Sequence, residues 1–153
     1  MTRTYHTLLV SSSGGVLLDL LALEPWWAQH SPSWAVVRAP DTETALAGYR
    51  TYWMKEIRFE RPLGVIGGVI QALKLLQEVR PDVIVSAGSG VAIGFFIAAR
   101  IRRIPCFWLE TFNMIDRSGL SAGICSRLAS VVLVQRTSML KAHPNAVMLG
   151  ELY

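Results

Sequence analysis

Residues 80–91 read Arg80-Pro-Asp-Val-Ile-Val-Ser-Ala-Gly-Ser-Gly-Val91 and combine a helix stop, a short apolar run and a glycine-rich loop. Arg80-Pro-Asp82 ends the helical pattern before it, because a proline disfavours helical backbone in the residue that precedes it. The run Val83–Val85 is typical of a strand buried on both faces of a parallel sheet. The glycines and serines of 86–90 favour a loop over a continuous membrane-spanning helix. The stretch therefore predicts a central strand, a loop and a helix over 90–103.

The same alternation of strand and helix continues in both directions along the chain. Further strands are predicted at Tyr5–Val10, Trp34–Val37, Pro105–Leu109, Val131–Val134 and Ala146–Leu149. Further helices are predicted at Val16–Gln29, Leu63–Val79 after Pro62, Ser118–Ala129 and Thr137–Ala142. Asp41–Tyr52 is turn-like with a short helix, and Trp53–Phe59 is interpreted as extended. We therefore predict a single α/β domain over residues 1–153, a Rossmann-like parallel sheet flanked by helices.

The composition excludes several classes of protein. Of the 153 residues, 52% are hydrophobic and 17% are charged, which excludes an intrinsically disordered chain. The net charge of +4 is scattered apart from one arginine cluster, so it does not predict a nucleic-acid-binding stripe. The apolar run Thr7–Val10 is too short to be the core of a signal peptide. The high apolar content predicts a surface that contacts a membrane, a partner chain or both.

Metal, cofactor and disulfide chemistry are not expected. Cys106 and Cys125 are interpreted as reduced thiols in an apolar setting, because no export signal precedes them. The three histidines, His6, His30 and His143, lie outside the predicted loops at the strand ends and are interpreted as structural or surface residues. Neither a Ser–His–Asp arrangement nor a set of metal ligands is apparent in the sequence.

Two glycine-rich loops, 11–15 and 86–90, follow predicted strands at the carboxyl edge of the sheet, where open parallel sheets bind ligands. Glycines let a backbone approach a ligand closely, and the N-terminus of the next helix offers N–H groups to an anion. A tight strand-to-helix turn is the alternative for both loops, because neither matches the Walker or dinucleotide fingerprint. The candidate residues for binding a diphosphate are Ser12, Ser13, Gly14, Gly15, Gly88, Ser89 and Gly90.

A carboxylate, Glu110, follows the predicted strand Pro105–Leu109. A buried carboxylate at a strand end is costly, so Glu110 is a candidate general base or ligand of a sugar hydroxyl. Capping of a neighbouring helix N-terminus is the alternative role. Thr111, Asp116 and Gln135 are further candidates at the same edge, and Asp116 also suits a loop residue or helix cap.

Aromatic and basic residues allow a membrane contact. Tryptophans are enriched at membrane interfaces, but core packing explains any single one, and the early ones are Trp26, Trp27, Trp34 and Trp53. The helix over 90–103 ends in Arg100-Ile-Arg-Arg103, which suits either the helix dipole or anionic headgroups. We interpret this helix as partly buried, with the remainder facing lipid or a partner.

Six segments, in order, resemble the acceptor-side subunit of two-component UDP-sugar glycosyltransferases, and the resemblance covers nearly the whole chain. They are Ser12-Ser-Gly-Gly15, Arg80–Val91, Trp108-Leu-Glu-Thr-Phe112, Asp116-Arg-Ser-Gly-Leu120, Val132-Leu-Val-Gln135 and Gly150-Glu-Leu-Tyr153. The family includes bacterial PssD-, CpsF- and EpsE-type exopolysaccharide proteins. It also includes the membrane-anchoring subunit of the eukaryotic enzyme that adds the second N-acetylglucosamine to dolichol-linked sugar. MurG is a more distant, single-chain relative.

The resemblance implies the N-terminal, acceptor-binding half of a GT-B glycosyltransferase, with the UDP-sugar-binding half in a separate small protein. The end of the sequence after its last predicted strand agrees with this expectation. The implied reaction moves a sugar from a UDP-sugar to a polyprenyl-diphosphate-linked acceptor in exopolysaccharide or capsule synthesis. The implied location is peripheral, as part of a heterodimer on the cytoplasmic face of the cell membrane. The family loop continues Gly-Gly-His, whereas this sequence has Val16, so a non-catalytic membrane scaffold that recruits the catalytic partner is the alternative.

Overall fold

A computed structural model describes residues 3–57, 61–88, 90–110, 120–141, 143 and 146–149. It contains a seven-stranded, fully parallel sheet. The strands are β1 His6–Ser11, β2 Ser31–Val37, β3 Thr51–Met54, β4 Val83–Ser86, β5 Cys106–Leu109, β6 Val131–Val134 and β7 Val147–Met148. The helices are α1 Gly15–Ala22, α2 Glu24–Trp27, α3 Pro40–Ala45, α4 Pro62–Val79, α5 Gly90–Arg102 and α6 Leu120–Leu128, with a 3₁₀ helix at Thr137–Lys141.

The strand order is β3-β2-β1-β4-β5-β6-β7, so β4 lies in the middle of the sheet as predicted. The chain builds outward from β1 to β3 and then crosses back to place β4 on the other side of β1. This reversal makes a switch point between β1 and β4, the place where doubly wound sheets open a crevice for ligands. The register sets Val10 beside Ser86 there, so the loops that leave β1 and β4 begin side by side.

The sheet is covered on both faces, because alternate side chains of each strand point to opposite sides. Leu8 and Val10 of β1 pack into the core layer formed with α4, α5 and α6. Leu9 packs into the opposite layer, which is formed with α1 and α2. Trp27, Trp34 and Trp108 are fully buried in these layers. For Trp27 and Trp34, two of the early tryptophans, core packing is therefore the correct interpretation.

Two predicted elements have different bounds in the structure. The predicted helix Val16–Gln29 is divided, since α1 ends at Ala22 and α2 starts at Glu24. Pro25 lies in the first turn of α2, and its missing N–H cannot continue the hydrogen-bond ladder of α1. For the predicted extended segment Trp53–Phe59, the structure has a strand earlier, β3 paired with β2 from Thr51 to Met54, and residues 58 and 59 lie outside the described residues.

The helix α5 is a core helix, and the prediction of a lipid-facing remainder along its body is wrong. Its residues from Val91 to Phe96 are all buried, between α4 and α6. Gly94 lies so close to α4 that an added Cβ would be 3.0 Å from the carbonyl carbon of Gly68. Ile101 and the arginines at its end remain exposed. Among the described residues, no helix has the length and apolar composition needed to cross a membrane.

Candidate functional site

The two glycine loops meet at the switch point between β1 and β4. The buried Ser86 hydroxyl donates a hydrogen bond of 2.7 Å to the Val10 carbonyl and so ties the ends of both strands together. It also accepts a hydrogen bond of 3.3 Å from the Gly88 N–H, which turns the second loop back toward the sheet. The structure therefore brings the two predicted loops together, although Ser89 itself lies outside the described residues.

The first loop presents exposed backbone at the start of α1. Ser13, Gly14 and Gly15 are exposed, and Gly14 adopts φ of 90°, a conformation that favours glycine. The first N–H groups of α1 have no partner within the helix and point out from this loop. The Gly14 N–H donates a hydrogen bond of 3.1 Å to Oδ2 of Asp41. The backbone of this loop thus donates a hydrogen bond to a carboxylate.

Asp41 was not among the predicted site residues. It lies at the start of α3, just beyond the carboxyl end of β2, and its side chain crosses to the neighbouring loop. One feature of the sequence could have identified Asp41. Like Glu110, it is an acidic residue that comes soon after a predicted strand. The turn-like composition of 41–52 gave no reason to connect it with Gly14.

Val16 lies between the two loops. An added Cβ at Gly88 would come within 2.5 Å of Val16 Cγ1, so the side chain of Val16 rests directly on Gly88. The second loop therefore requires a glycine at this position, where any larger side chain would displace Val16. Position 16, where the resembled family has histidine, thus faces the second loop with an apolar group.

Glu110 is a buried carboxylate at the end of β5, with 1% of its surface exposed. Its N–H donates to the Leu133 carbonyl at 2.9 Å and extends the pairing of β5 with β6 by one residue. Its Oε1 accepts a hydrogen bond of 3.1 Å from Trp108 Nε1 and lies 2.7 Å from Nε2 of His143. The predicted candidate is therefore a buried carboxylate held in place by an indole and within hydrogen-bond distance of an imidazole.

His143 is a second residue that was not among the predicted site residues. It was assigned a structural or surface role, but the structure pairs it with Glu110, from which it is 33 residues distant in sequence. Its N–H donates to the Met139 carbonyl at 3.0 Å, so the 3₁₀ helix holds it over the end of β6. Its side chain is 11% exposed and connects the buried carboxylate with the surface.

Gln135 completes a polar cluster with Glu110 and His143. It follows β6, is 2% exposed, and donates a hydrogen bond of 3.1 Å from Nε2 to the Glu110 carbonyl. The other two candidates at this edge, Thr111 and Asp116, lie outside the described residues.

The glycine loops and the polar cluster form two parts of one edge. From β1 to β5 the separation is two strand spacings, about 10 Å. A ligand with a diphosphate at one end and a sugar at the other has the dimensions to contact both parts. Within the described ranges, no group of three or more histidine, cysteine, aspartate or glutamate residues could hold a metal ion.

Comparison with known sequences places the chain among distant relatives. No family model matches it. A segment of 56 residues, 37% of the chain, is 41% identical to UDP-N-acetylglucosamine--N-acetylmuramyl-(pentapeptide) pyrophosphoryl-undecaprenol N-acetylglucosamine transferase 1 of Bacillus thuringiensis (strain Al Hakam). A segment of 73 residues, 46% of the chain, is 38% identical to the transferase of the same description from Clostridium botulinum (strain Alaska E43 / Type E3). The matches span 16% and 20% of the length of these two relatives, so the chain is a distant, partial homologue of MurG-like glycosyltransferases.

Solved structures confirm the predicted fold. MurG of Acinetobacter baumannii superposes with a TM-score of 0.72 at 20% identity, over 87% of this chain and 42% of that one. UDP-N-acetylglucosamine 2-epimerase of Rickettsia bellii superposes with a TM-score of 0.74 at 14% identity, over 98% of this chain and 46% of that one. The chain therefore has the Rossmann-like architecture of one half of a GT-B protein, as predicted for the N-terminal half.

Proposed function

We propose that the chain is the acceptor-binding part of a glycosyltransferase that moves a sugar from a UDP-sugar to a polyprenyl-diphosphate-linked acceptor. The names of the distant relatives specify a UDP-sugar donor and a pyrophosphoryl-undecaprenol acceptor, which supports this substrate class. The observation that carries the proposal is the carboxyl edge of the sheet, where two glycine loops adjoin a buried carboxylate–imidazole pair.

The glycine loops bind the diphosphate of the acceptor in this proposal. Their backbone N–H groups and the N-terminus of α1 supply hydrogen bonds and a favourable dipole to the phosphate oxygens. Asp41 now accepts the hydrogen bond of Gly14, so an incoming diphosphate displaces the carboxylate or binds beside it. The loop residues that take part are Ser12, Ser13, Gly14, Gly15 and Gly88, with Ser89 and Gly90 as further candidates.

The Glu110–His143 pair handles the proton of the reaction. The acceptor hydroxyl oxygen attacks the anomeric carbon of the donor, and the bond from that carbon to UDP breaks with its electron pair on the departing UDP. The hydroxyl proton passes to the Glu110–His143 pair, in which Trp108 holds the carboxylate in place. General base catalysis of this kind contributes roughly 10²–10⁴-fold to a rate.

The partner and the location follow from the resemblance of the ordered segments. In this proposal a separate small protein supplies the UDP-sugar-binding half, and the pair works in exopolysaccharide or capsule synthesis on the cytoplasmic face of the membrane. An exposed apolar face on the first half of α4, comprising Leu63, Ile66 and Ile70, suits a peripheral membrane contact. Basic side chains border it, namely Lys55, Arg61 and Lys74.

Reconstitution tests the proposal. Labelled UDP-sugars are supplied to a membrane lipid extract with this chain alone, with the product of the adjacent reading frame alone, and with both. We expect label in lipid only when both proteins are present, with the same yield in excess EDTA. Transfer by this chain alone would replace the two-component proposal with a single-chain enzyme, and no transfer in any arm would contradict the proposed function.

A non-catalytic scaffold is the second candidate, and Val16 favours it. Valine can neither transfer a proton nor donate a hydrogen bond, and here it packs on Gly88 at the centre of the two loops. In that case the partner transfers sugar to detergent-solubilised acceptor at the same rate with and without this chain. A transfer rate on solubilised acceptor that rises in proportion to the concentration of this chain would exclude the scaffold function.

A further inference from the structure

The orientation of the Gln135 amide is fixed by its neighbour. Its nitrogen faces the backbone carbonyl of Glu110 at 3.1 Å, and a carbonyl can only accept a hydrogen bond. The Gln135 atom that faces the Glu110 carbonyl is therefore the amide nitrogen, Nε2. The amide oxygen, Oε1, is the atom of the amide that does not face this carbonyl.

That oxygen is buried, and within the described part of the chain it has no hydrogen-bond partner. Gln135 as a whole is 2% exposed, so bulk solvent does not replace the missing donor. A buried acceptor without a donor destabilises the folded chain, and native proteins keep few of them. An unsatisfied acceptor at the carboxyl edge of a parallel sheet is therefore well placed to accept a hydrogen bond from a ligand.

The surroundings narrow the kind of ligand. Gln135 contacts the backbone carbonyl of Glu110, and the carboxylate of that same residue is hydrogen-bonded to the imidazole of His143, so this part of the edge offers both acceptors and donors. A sugar presents hydroxyl groups, and an N-acetylated sugar also presents an amide N–H, so either offers the donor that Oε1 lacks. The second glycine loop follows β4, two strand spacings or about 10 Å from β6, and the first follows β1, one spacing further, so a sugar next to a diphosphate bound there would extend toward this cluster.

We propose that Gln135 determines acceptor specificity, because its Oε1 accepts a hydrogen bond from a hydroxyl or amide N–H of the acceptor sugar. This inference rests on the proposed function. It assigns Gln135 to recognition of the sugar and leaves the proton transfer to the Glu110–His143 pair. A site built to satisfy a buried polar atom discriminates strongly against ligands that lack the matching group.

The test compares two variants that each remove a buried oxygen without a partner. Gln135→Met keeps the length of the side chain but removes Oε1, together with the Nε2 that donates to the Glu110 carbonyl. Thr7→Val is the matched control, since Thr7 Oγ1 is also buried without a partner among the described residues, near the start of β1 and away from the carboxyl edge. Gln135→Asn is a second variant, in case the Gln135→Met protein does not fold. It retains an amide but shortens the side chain by one methylene.

Transfer is measured with the reconstituted pair on undecaprenyl-diphosphate-linked glucose, galactose and N-acetylglucosamine. We expect Gln135→Met to raise the acceptor KM about tenfold on the preferred sugar, with little change in kcat, as expected for one lost hydrogen bond. We also expect the preference among the three sugars to shrink, while Thr7→Val leaves both quantities unchanged. An unchanged KM in both Gln135 variants, or an equal rise in Thr7→Val, would overturn the inference.

A binding measurement separates this inference from the proposed function. The shift in melting temperature of this chain is recorded with the same three lipids in detergent, which requires no donor and no transfer. A shift that Gln135→Met abolishes would support sugar recognition even if no arm of the transfer assay shows activity. Transfer that is normal in wild type and unaffected in the variants would instead preserve the proposed function and remove Gln135 from it.

Discussion

At the scale of single residues, the contact between Val16 and Gly88 is the tightest constraint on the site. Gly88→Ala would place a methyl group 2.5 Å from Val16 Cγ1, in a short β-branched side chain that has little freedom to move. We expect a loss of about 1–3 kcal/mol in the free energy of unfolding, together with weaker acceptor binding, because both loops must shift. Thermal denaturation and the acceptor KM of the reconstituted pair measure the two effects.

Two further variants make that prediction specific. Val16→Ala in the Gly88→Ala background removes the opposing methyl groups and should recover most of the lost stability. Gly67→Ala is the control, since an added Cβ there meets no atom within 4 Å and alanine favours the helix. Equal losses in Gly67→Ala and Gly88→Ala would show that the contact with Val16 is not the cause.

The buried thiols predict a loss of stability at alkaline pH. Burial raises the pKa of Cys106 from 9.0 to about 11, with Arg100 opposing the rise, and it raises the pKa of Cys125 from 9.0 to about 12. The unfolded chain therefore releases these protons first, so the stability is complete below pH 9 and is lost as the pH rises toward 11–12. At pH 10 the loss is roughly 1.4 kcal/mol for each thiol.

Denaturant titrations between pH 8 and pH 10.5 measure this loss. The variant with alanine at both cysteines should show a smaller fall over the same range, because its unfolded state has no thiols to ionise. The difference between the two proteins is the quantity to compare, because it isolates the contribution of the two thiols. An identical pH dependence in the two proteins would contradict the assignment to the thiols.

Single residues also show which contacts a sequence can and cannot indicate. Glu110 was predicted because a carboxylate directly after an apolar strand is unusual, and that signal is local. His143 and Asp41 were not predicted, because their contacts with Glu110 and Gly14 depend on which strand ends lie side by side. No spacing in the sequence encodes those distances.

At the scale of elements, the strands were predicted well because apolar runs between turn residues are a strong local pattern. The bounds failed where the cause was not local. The segment β3 starts at Thr51 because β2 provides the pairing, although the composition of 41–52 is that of a turn. The helix α5 was interpreted as partly buried, with the remainder facing lipid or a partner, but α4 and α6 cover its body.

The exposed apolar face instead belongs to α4. The buried residues of α4 lie in its second half, at Ala72, Leu75, Leu76 and Val79, whereas Leu63 in the first turn is 82% exposed. An open groove of about 430 Å³ runs between this face and the segment Lys55–Ile57.

Substituting Leu63 and Ile66 with Ser should lower binding to vesicles of anionic phosphatidylglycerol by tenfold or more, since each buried CH₂ contributes about 0.8 kcal/mol.

Vesicle sedimentation measures that loss, and stability should remain unchanged because both side chains are exposed. Leu18→Ser is the control, since Leu18 is a 58% exposed apolar residue on a different helix, α1. High salt should weaken wild-type binding, because the neighbouring lysines and arginine contribute through screened charges. Equal losses in the α1 and α4 variants would mean that α4 is not the membrane-contacting face.

At the scale of the whole molecule, the strand order explains why residues from the two halves of the chain form one edge. The switch point brings the loops after β1 and β4 together, and the next two strands add Glu110 and Gln135 in sequence. The alternation of strands and helices was enough to predict a parallel sheet and its working edge. The alternation does not predict the strand order, and the strand order sets the distances between the candidate site residues.

The strand order predicts that the two parts of the edge act independently. Asp41→Asn removes a negative charge beside the first glycine loop and keeps an oxygen that can accept from Gly14, so, if this loop binds the acceptor diphosphate as proposed, the acceptor KM should fall by about two- to fivefold. Glu110→Gln retains the shape of the side chain but not its basicity, so kcat should fall by about 10²-fold or more while the subunits stay assembled.

Because the two residues lie on strands or loops more than about 10 Å apart, their effects on kcat/KM should multiply in the double variant. Steady-state kinetics of the four proteins measure this, and an unchanged turnover in Glu110→Gln would remove Glu110 from the catalytic role. A double variant that departs more than about threefold from the product of the single effects would mean that the loops and the polar cluster are coupled, contrary to their separation in the sheet.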